Sequence, residues 1–341
     1  MALWHLLRVA SALLLAMLGF GQLAVHGSEG SGLVVHEWGT FTSIAGENGQ
    51  AVEWRPLDAS SDLPCFVERF GTPKGSIAAR VRMETPVLYF YAPRAMTVDV
   101  SVRFKQGLIT EWFPHASVTP TIASADWTGF GRPTSSSNAA WHGVTVQPNA
   151  PAAFLDDHRE SHYYVARRTD AAPLAVGSTS EKFLFYRGIA EFEPPISALV
   201  RDNGRVEISS TAALGDVIFF ENHGGSISYR SVHSSSTHAT FDPPVLDGES
   251  ATPQAELEKV LIAHGLYPAE AKAMVETWRD SWFEDGSRLF YVVPRGTIDD
   301  VLPIDISPAP QSLVRVFVGR VELDRAHRRS SIQQAAARVC R

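Results

Sequence analysis

Hydrophobic and polar positions alternate along many short segments of this chain. Thr97–Phe104 alternates over its whole length, and Leu108–Phe113 follows it after a short polar break that ends in glycine. Strict alternation is typical of a strand with one buried face, so these two segments predict a hairpin. A second hairpin is predicted where Ile196–Arg201 and Val206–Ser209 flank Asn203-Gly204, because Asn-Gly supplies the positive φ angles of a tight turn.

Other short apolar segments predict further strands. They are Ala79–Met83, Val87–Tyr91, Tyr163–Ala166, Phe183–Tyr186, Val217–Phe220, Ser226–Tyr229, Leu289–Val293 and Val314–Val321. We expect Val217–Phe220 and Ser226–Tyr229 to continue the meander of the second hairpin. The serine-rich stretches at 133–140 and 231–244 predict long loops. Many short strands separated by Gly and Pro predict a mainly β fold, in which antiparallel sheets pack as a sandwich.

One region has helical periodicity instead. Between Pro253 and Phe283, apolar residues recur every three or four positions on either side of Gly265. Glycine commonly ends a helix, and Pro268 suits the first turn of the next one. We therefore expect a helical hairpin packed on a sheet near the C-terminus. A final amphipathic segment, Ser330–Val339, also has helical spacing.

The first 27 residues have the layout of a secretory signal peptide. A short basic start precedes an apolar run from Val9 to Phe20, and small residues precede Ser28. A membrane anchor is the alternative, but the run is shorter than the roughly 20 residues that span a bilayer. The predicted organisation is a signal peptide at 1–27, a β-sandwich-like region at 28–250, and a helical hairpin with returning strands at 251–341 on the same core. We expect a periplasmic or secreted protein with no membrane span after cleavage.

Composition narrows the range of partners. Residues 1–27 hold one arginine and no acid, so 30 basic residues become 29 against 37 acidic ones, a net charge of −8. A negative chain without a basic run is unsuited to nucleic acid. A small-molecule or glycan ligand remains compatible with it. The two cysteines, Cys65 and Cys340, are expected to form one disulfide in an oxidising compartment, and a metal ligand or free thiol at Cys65 is the alternative.

Four segments carry a resemblance to known proteins. They are HEWGTFTS (His36–Ser43), ARVRMETPVLYFY (Ala79–Tyr91), EKFLFYRG (Glu181–Gly188) and AKAMVETWRDSWF (Ala271–Phe283). Together they resemble a family of exported bacterial proteins to which no activity is assigned. The similarity spans most of the mature chain, which implies one integrated architecture. It implies no substrate and no catalytic residues.

Histidines supply the first candidate chemistry. Ten of the 12 follow the signal peptide, and most lie in predicted loops or at strand ends. If residues 156–162 formed a helical turn, His158 and His162 would share one face and could hold zinc or a similar divalent metal, with Glu160 nearby as a candidate base. The motif differs from HExxH, because Glu160 is misplaced, and a solvated loop is the alternative. His223, beside two glycines at a strand end, is a fourth candidate ligand, and an ordinary turn would equally explain it.

The segment VVHEWGTFT contains the remaining candidates, His36 and Glu37. Neighbouring side chains of a strand point to opposite faces, so both can reach one site only if the backbone bulges, and Gly39 is suited to a bulge or to a close approach. We expect His36 and Trp38 to face inward and Glu37 to face solvent. His36 is then a candidate metal ligand or general base, and a core histidine bonded to the backbone is the alternative. Glu37 is also a candidate catalytic base.

Arginines and tryptophans suggest two other kinds of site. Arg80, Arg82 and Glu84 share one strand face, and Arg187 lies near the end of another strand. Such arginines could bind a carboxylate or phosphate, but an ion-pair ladder across neighbouring strands is the preferred interpretation. Tryptophans near loops, such as Trp112 and Trp141, could stack on sugars, and core packing is the alternative.

These features favour a metal-dependent enzyme, in the first instance a hydrolase, acting outside the cytoplasm. Its candidate metal ligands are His36, His158, His162 and His223, and its candidate bases are Glu37 and Glu160. The main rival is a non-catalytic module that binds glycan or envelope polymer, and a structural partner in an envelope assembly is a third interpretation. No GxSxG, P-loop, GxGxxG or CxxC motif is present, which argues against nucleotide chemistry and the common serine-hydrolase layout.

Overall fold

The structure is a computed structural model that describes residues 32–57, 62–69, 77–119, 136–244 and 252–323. These residues belong to one compact unit that begins at Gly32. The predicted signal peptide, the segment Ser330–Val339 and Cys340 lie outside the described residues. Cys65 is disulfide-bonded, so it is neither a free thiol nor a metal ligand.

Eighteen strands are present in the described part of the chain. In chain order they are β1 (Val34–Ile44), β2 (Glu68–Arg69), β3 (Val81–Tyr91), β4 (Met96–Phe104), β5 (Gly107–Phe113), β6 (Ser117–Thr119), β7 (Ser137–Val146), β8 (Leu174–Val176), β9 (Thr179–Glu181), β10 (Leu184–Ala190), β11 (Ile196–Val200), β12 (Val206–Ser210), β13 (Gly215–His223), β14 (Ser226–Ser234), β15 (His238–Phe241), β16 (Gly286–Val292), β17 (Ile304–Ser307) and β18 (Ser312–Glu322).

Three α-helices lie near the C-terminus: α1 (Pro253–Ala263), α2 (Pro268–Trp282) and α3 (Arg295–Val301). Thr252 caps α1 by accepting a hydrogen bond from the backbone N–H of Ala255, and proline begins both α1 and α2. Gly265, at φ +107°, ends the first helix as the sequence predicts. α1 and α2 thus form the expected helical hairpin.

The strands form three sheets. The largest has nine strands in the order β14-β13-β16-β18-β1-β3-β10-β5-β2, a six-stranded sheet contains β17, β4, β7, β8 and β9 with β6 beside β7, and β11, β12 and β15 form the third. Among the described pairings, only β1 with β18 is parallel. Strands from both sides of residue 250 therefore share the largest sheet, with β1 near its centre.

Both faces of the nine-stranded sheet are covered. One core joins it to the six-stranded and three-stranded sheets, with Leu88, Val100 and Trp141 among its members. The other core joins it to α1 and α2, through residues such as Val316 and Met274. We call these two sides the sheet face and the helix face. The predicted mainly β fold with packed antiparallel sheets and a helical hairpin is confirmed.

Some local predictions are wrong. The expected strand Tyr163–Ala166 is part of a 3-10 helix, His162–Arg167, whose first turn is capped by the Ser161 side chain. A short apolar run does not distinguish a strand from a buried helical turn. Here the hydrogen bond from the Tyr163 backbone N–H to the Ser161 side chain favours the helical turn. The first predicted hairpin is wrong as well, because β4 belongs to the six-stranded sheet and β5 to the nine-stranded sheet. β13 and β14 do not continue the β11–β12 meander but belong to the nine-stranded sheet.

The serine-rich stretch 231–244 is also not a loop throughout. β14 extends to Ser234, and β15 begins at His238. β14 is an edge strand in which no residue is fully buried, so a polar, serine-rich sequence is compatible with a strand there.

Candidate functional site

The VVHEWGTFT segment forms most of β1, and its side chains divide between the two covered faces. His36 and Trp38 lie on the helix face, whereas Glu37 and Phe41 lie on the sheet face. Gly39 also lies on the sheet face, where a Cβ atom would stand 2.6 Å from the Phe317 ring. The glycine is therefore required by a close ring contact. β1 keeps its alternation, and the register shift opposite Gly39 places the extra residue in β3.

The expected position of Glu37 in solvent is wrong. Its side chain is completely buried, and its two carboxylate oxygens accept hydrogen bonds from Arg315 Nε and from the Tyr186 hydroxyl, both at 2.5 Å. The expectation assumed a sheet with one wet face. Because β1 is covered on both faces, an inward His36 does not leave Glu37 outside. Glu37 and His36 consequently cannot act together at one site.

On the helix face, His36 is bonded to a carboxylate from a distant part of the chain. Its Nδ1 lies 2.8 Å from Glu270 Oε2, and the two residues are 2% and 0% exposed. Glu270 also accepts hydrogen bonds from the Tyr91 hydroxyl and the Tyr267 backbone N–H, each at 2.8 Å. These two bonds hold the carboxylate in place. No described hydrogen bond involves Nε2 of His36.

Two tyrosine rings enclose the His36 imidazole. The Tyr267 ring centroid is 4.4 Å from that of His36, and the Tyr91 centroid is 5.5 Å away. Burial raises the pKa of Tyr91, and the nearby charge of Glu270 raises it further, so its hydroxyl stays protonated and donates to that carboxylate. Tyr267 is 42% exposed, so its ring separates His36 from solvent.

The connector between α1 and α2, which we define as His264–Tyr267, crosses one end of the nine-stranded sheet. His264 Nε2 lies 2.8 Å from Asp216 Oδ2 at the start of β13. Gly265 lies over Val314 of β18, where an added Cβ would be 3.3 Å from Val314 Cγ1. Tyr267 then covers His36, which pairs with Val314 in register. The connector thus contacts three strands of the sheet, β13, β18 and β1.

Beside this connector lies a cleft of about 430 Å³. It occupies the end of the sheet beyond Val292, where β16 stops while β13 and β18 continue on either side. Its lining residues are 212–216, His264, 292–295 and 313–316. Its volume is within the range of small-ligand sites. Val314, one of its lining residues, pairs in register with His36.

Asp216 at the cleft is held by two histidines. Oδ1 lies 3.0 Å from His233 Nδ1, and Oδ2 lies 2.8 Å from His264 Nε2. Burial alone raises the pKa of Asp216, but the hydrogen bonds from His264 and His233 lower it more, so the pKa lies below its ordinary value. Asp216 is therefore ionised at neutral pH.

The predicted pair His158 and His162 does not share a helical face. His158 has a φ of 59° and a side chain that is 90% exposed, and the 3-10 helix begins only at His162. His162 instead bridges two acids: its Nδ1 lies 3.0 Å from Asp62 Oδ2 and its Nε2 lies 2.9 Å from Asp280 Oδ2. Both of its ring nitrogens are already engaged.

The bridge at His162 makes stability dependent on pH. The hydrogen bond to Asp62 raises the pKa of His162, and the bonds from His162 lower the pKa of Asp62 although burial opposes them. The His162 contribution is complete below its unfolded pKa of about 6.5 and is lost as pH rises through the folded value. The Asp62 contribution is present above its unfolded pKa of about 3.9 and is lost as pH falls through the folded value.

We therefore expect His162→Gln to destabilise the protein more at about pH 5.5 than at about pH 8.5. Both partners are more than a third exposed, so the effect should stay below about 1 kcal/mol. Urea unfolding at both pH values measures it. His158→Gln, on an exposed ring, is the control and should show no such difference. Equal losses for His162→Gln at the two pH values would contradict the bridge.

His223 and Glu160 are exposed. The His223 side chain, at the end of β13, is 62% exposed and lies 3.9 Å from Glu221. Across the described ranges, no three His, Cys, Asp or Glu side chains are grouped so that they could hold a metal ion. His36, His158, His162 and His223 have separate partners, and a divalent metal such as zinc stays a prediction from the sequence.

The tryptophans proposed for sugar stacking are engaged inside the fold. Trp141 is 1% exposed and donates to the Pro114 carbonyl at 2.9 Å. Trp112 is partly buried and donates to Glu68 at 2.8 Å. Leu155, Val200, Ile227, Ile262 and Tyr267 are the exposed large apolar side chains of the described chain. The core-packing alternative therefore holds for Trp141.

Sequence reasoning missed Glu270 and Tyr267. Glu270 is the third residue of α2 and bonds back to the Tyr267 N–H, an arrangement typical of a helix start. That local role was accessible from the sequence, but its contact with His36, 234 positions away, was not. No described helix is long and apolar enough to cross a membrane.

Comparison with known protein families finds no model that matches the chain, and no curated protein matches it. Function must therefore be inferred from the described residues themselves.

Proposed function

We propose that this protein is an exported enzyme, in the first instance a hydrolase, that uses His36 as its general base. The observation that carries the proposal is the His36–Glu270 pair: one ring nitrogen is bonded to a buried carboxylate, and the other takes part in no described hydrogen bond. Export rests on the first 27 residues, which lie outside the described ranges.

The chemistry follows from the two ring nitrogens. With Nδ1–H donated to Glu270, Nε2 carries the lone pair and can accept a proton from water or a substrate hydroxyl. The imidazolium that forms is stabilised by the Glu270 carboxylate, which Tyr91 and the Tyr267 N–H keep oriented. Glu270 is here a positioning residue. The cleft is lined by Val314, the register neighbour of His36, and would place a substrate on the adjacent strand.

Access to Nε2 requires Tyr267 to move. The His36 side chain is 3% exposed and the half-exposed Tyr267 ring covers it. An exposed ring on a connector has few packing contacts to lose when it rotates. Tyr267 therefore acts as a cover that a substrate displaces.

A metal-dependent form of the proposal uses the same residue. A histidine that binds a metal through Nε2 commonly donates its other N–H to a carboxylate, as His36 does to Glu270. His36 would need further ligands to hold an ion. Activity measured with added Zn²⁺ and after chelation separates this form from a metal-independent one.

The test is an activity screen with the chain from Ser28 onward, using chromogenic carboxylic esters, phosphoesters and glycosides. We expect His36→Gln to lower kcat/KM at least 100-fold, because general-base catalysis contributes about 10²–10⁴-fold. Glu270→Gln should lower kcat by at least about 10-fold and shift the pH–rate profile, because it removes the charge that stabilises the imidazolium.

His142→Gln is the matched control. His142 lies in the six-stranded sheet and its side chain is 72% exposed. It should leave kcat/KM unchanged, and urea unfolding should confirm that all three variants fold. Full activity in His36→Gln would contradict the proposal. So would the absence of turnover on every substrate class with and without Zn²⁺, and retention on a polysaccharide would then favour the binding module.

A further inference from the structure

A second polar cluster lies on the helix face, at the other end of β1. Arg320 of β18, Thr42 of β1 and Arg82 of β3 are aligned in register across three neighbouring strands. Arg187 lies on the next strand, β10, within the register shift between β10 and β3, two residues from Ile189, which pairs with Arg82. We call Arg82, Arg187 and Arg320 the arginine row. Thr42 is six residues from His36, about 20 Å along the strand, so the row is separate from the proposed base.

Arg82 and Arg320 flank Thr42 in register, and the charges of Arg187 and Arg320 both act on Arg82. Burial is the largest cause of a lowered pKa for Arg82, and the charges of Arg187 and Arg320 lower it further while Glu84 raises it. The side chains of Arg82, Arg187 and Arg320 are only 11%, 7% and 7% exposed. Three cations thus share a largely buried surface that solvent still reaches.

The carboxylates beside the row are fully used. Glu84 contacts Arg82 Nε at 3.2 Å with one oxygen and accepts from the Thr42 hydroxyl at 2.9 Å with the other. Glu111 accepts from Arg187 Nε and Nη2 at 2.9 and 3.2 Å. Each of these carboxylates already engages both of its oxygens.

The arginines of the row, in contrast, have N–H groups that donate no hydrogen bond to a described residue. In the described part of the chain, neither terminal nitrogen of Arg82 has an acceptor, and Nη1 is likewise unbonded in Arg187 and in Arg320. Neighbouring Arg288 shows the alternative: all three of its nitrogens donate to Glu322 or to backbone carbonyls, as expected of a structural arginine. The row therefore keeps donors that Arg288 has already used.

We propose that the arginine row is a binding site for a small oxyanion group, such as a phosphate. Four unbonded guanidinium nitrogens, from three of the four consecutive strands β18, β1, β3 and β10, supply the charge-assisted donors that an oxyanion accepts. The Thr42 hydroxyl between Arg82 and Arg320 is committed to Glu84 as a donor, so recognition comes from the arginines. The site goes beyond the proposed catalytic role of His36, because it uses no residue of that site.

The experiment titrates inorganic phosphate into the chain from Ser28 onward by calorimetry, with thermal melts in parallel. Sulfate and acetate form two further arms, and sodium chloride at equal ionic strength is the reference. We expect phosphate to bind and to raise Tm above the chloride reference. Arg82→Gln should weaken phosphate binding at least 10-fold, because it removes the two unbonded nitrogens of Arg82.

Arg80→Gln is the matched control. Arg80 lies two residues before Arg82 and carries the same charge, but it pairs with Glu193 and Glu191 away from the row. It should change the phosphate Kd less than 2-fold. If Arg82→Gln does not fold, Arg82→Lys replaces it, since it retains the charge beside Glu84 but not the planar fork of donors.

Three results decide the proposal. Selective loss in the Arg82 variant supports it, and comparable binding of acetate would identify a carboxylate as an equivalent ligand. No binding above the chloride reference overturns it and leaves a hydrated ion-pair ladder. Equal weakening by Arg80→Gln and the Arg82 variant also overturns it, because diffuse charge would then explain the binding.

Discussion

Replacing Glu37 by glutamine is expected to lower the free energy of unfolding by about 3 kcal/mol. Glu37 and Arg315 are opposite one another on β1 and β18, and neither side chain is exposed. Removing one charge of a buried pair leaves the other without compensation, which is costly in a region that excludes water. Arg315 keeps one contact, Nη1 to Asp299 at 2.9 Å, so the loss should lie near the lower end of the range for buried pairs.

A variant that removes both charges tests whether the loss of stability comes from the uncompensated Arg315 charge. Glu37→Gln combined with Arg315→Met removes both charges, and it should be less destabilised than Glu37→Gln alone. Glu207→Gln is the surface control, since Glu207 pairs with Arg201 in the exposed hairpin and should show no measurable change. Urea unfolding measures all of these variants. A Glu37→Gln chain as stable as the Glu207→Gln chain would show that the pair is not buried as described.

The second large effect is expected at Gly188. It lies in β10 at a register shift with both neighbouring strands, β3 and β5. A Cβ atom there would stand 2.1 Å from the Leu108 carbonyl oxygen and 3.0 Å from its carbon. Gly188→Ala should therefore force the backbones of β10 and β5 apart, at a cost of about 3 kcal/mol.

Gly296→Ala is the control for that substitution. Gly296 is the second residue of α3, and a Cβ atom there would meet nothing within 4 Å. Alanine favours helix over glycine, so this variant should be unchanged or slightly more stable. The midpoint of urea unfolding compares the two. Equal midpoints for Gly188→Ala and Gly296→Ala would contradict the close approach of β10 to β5.

The predictable parts of the fold were those encoded in short stretches. Alternation identified β4 and β5 as strands, although they do not pair as the predicted hairpin. Asn-Gly identified the β11–β12 hairpin, and proline with glycine identified the ends of α1 and α2. Each signal acts between residues close in sequence, so it survives without knowledge of the remaining chain. The 3-10 helix at His162–Arg167 was missed because a serine cap outweighed an apolar run of strand-like composition.

The assignment of strands to sheets was less predictable. Val217–Phe220 was correctly identified as strand, yet β13 pairs with β16 and β14 rather than with β12. Strand pairing depends on contacts between segments far apart in sequence, and an alternating pattern does not name its partner.

The candidate site shows the same division. His36 was singled out because a polar residue on an inward strand face requires a partner, and that partner exists in Glu270. Its identity, from a helix more than 200 positions later, was not readable from β1 or from α2. The prediction that Glu37 faces solvent was wrong for a related reason. A local sequence pattern does not show whether one or both faces of a sheet are covered.

The sequence alone determined the strand-rich character, the helical hairpin and the division of VVHEWGTFT into two alternating faces, since these follow from backbone geometry over a few residues. Tertiary structure decided which faces are dry, which carboxylate meets His36, and which arginines align as Arg82, Arg187 and Arg320 do. Those outcomes depend on how layers stack and in what register strands pair, which is settled only when distant segments bury their surfaces against one another.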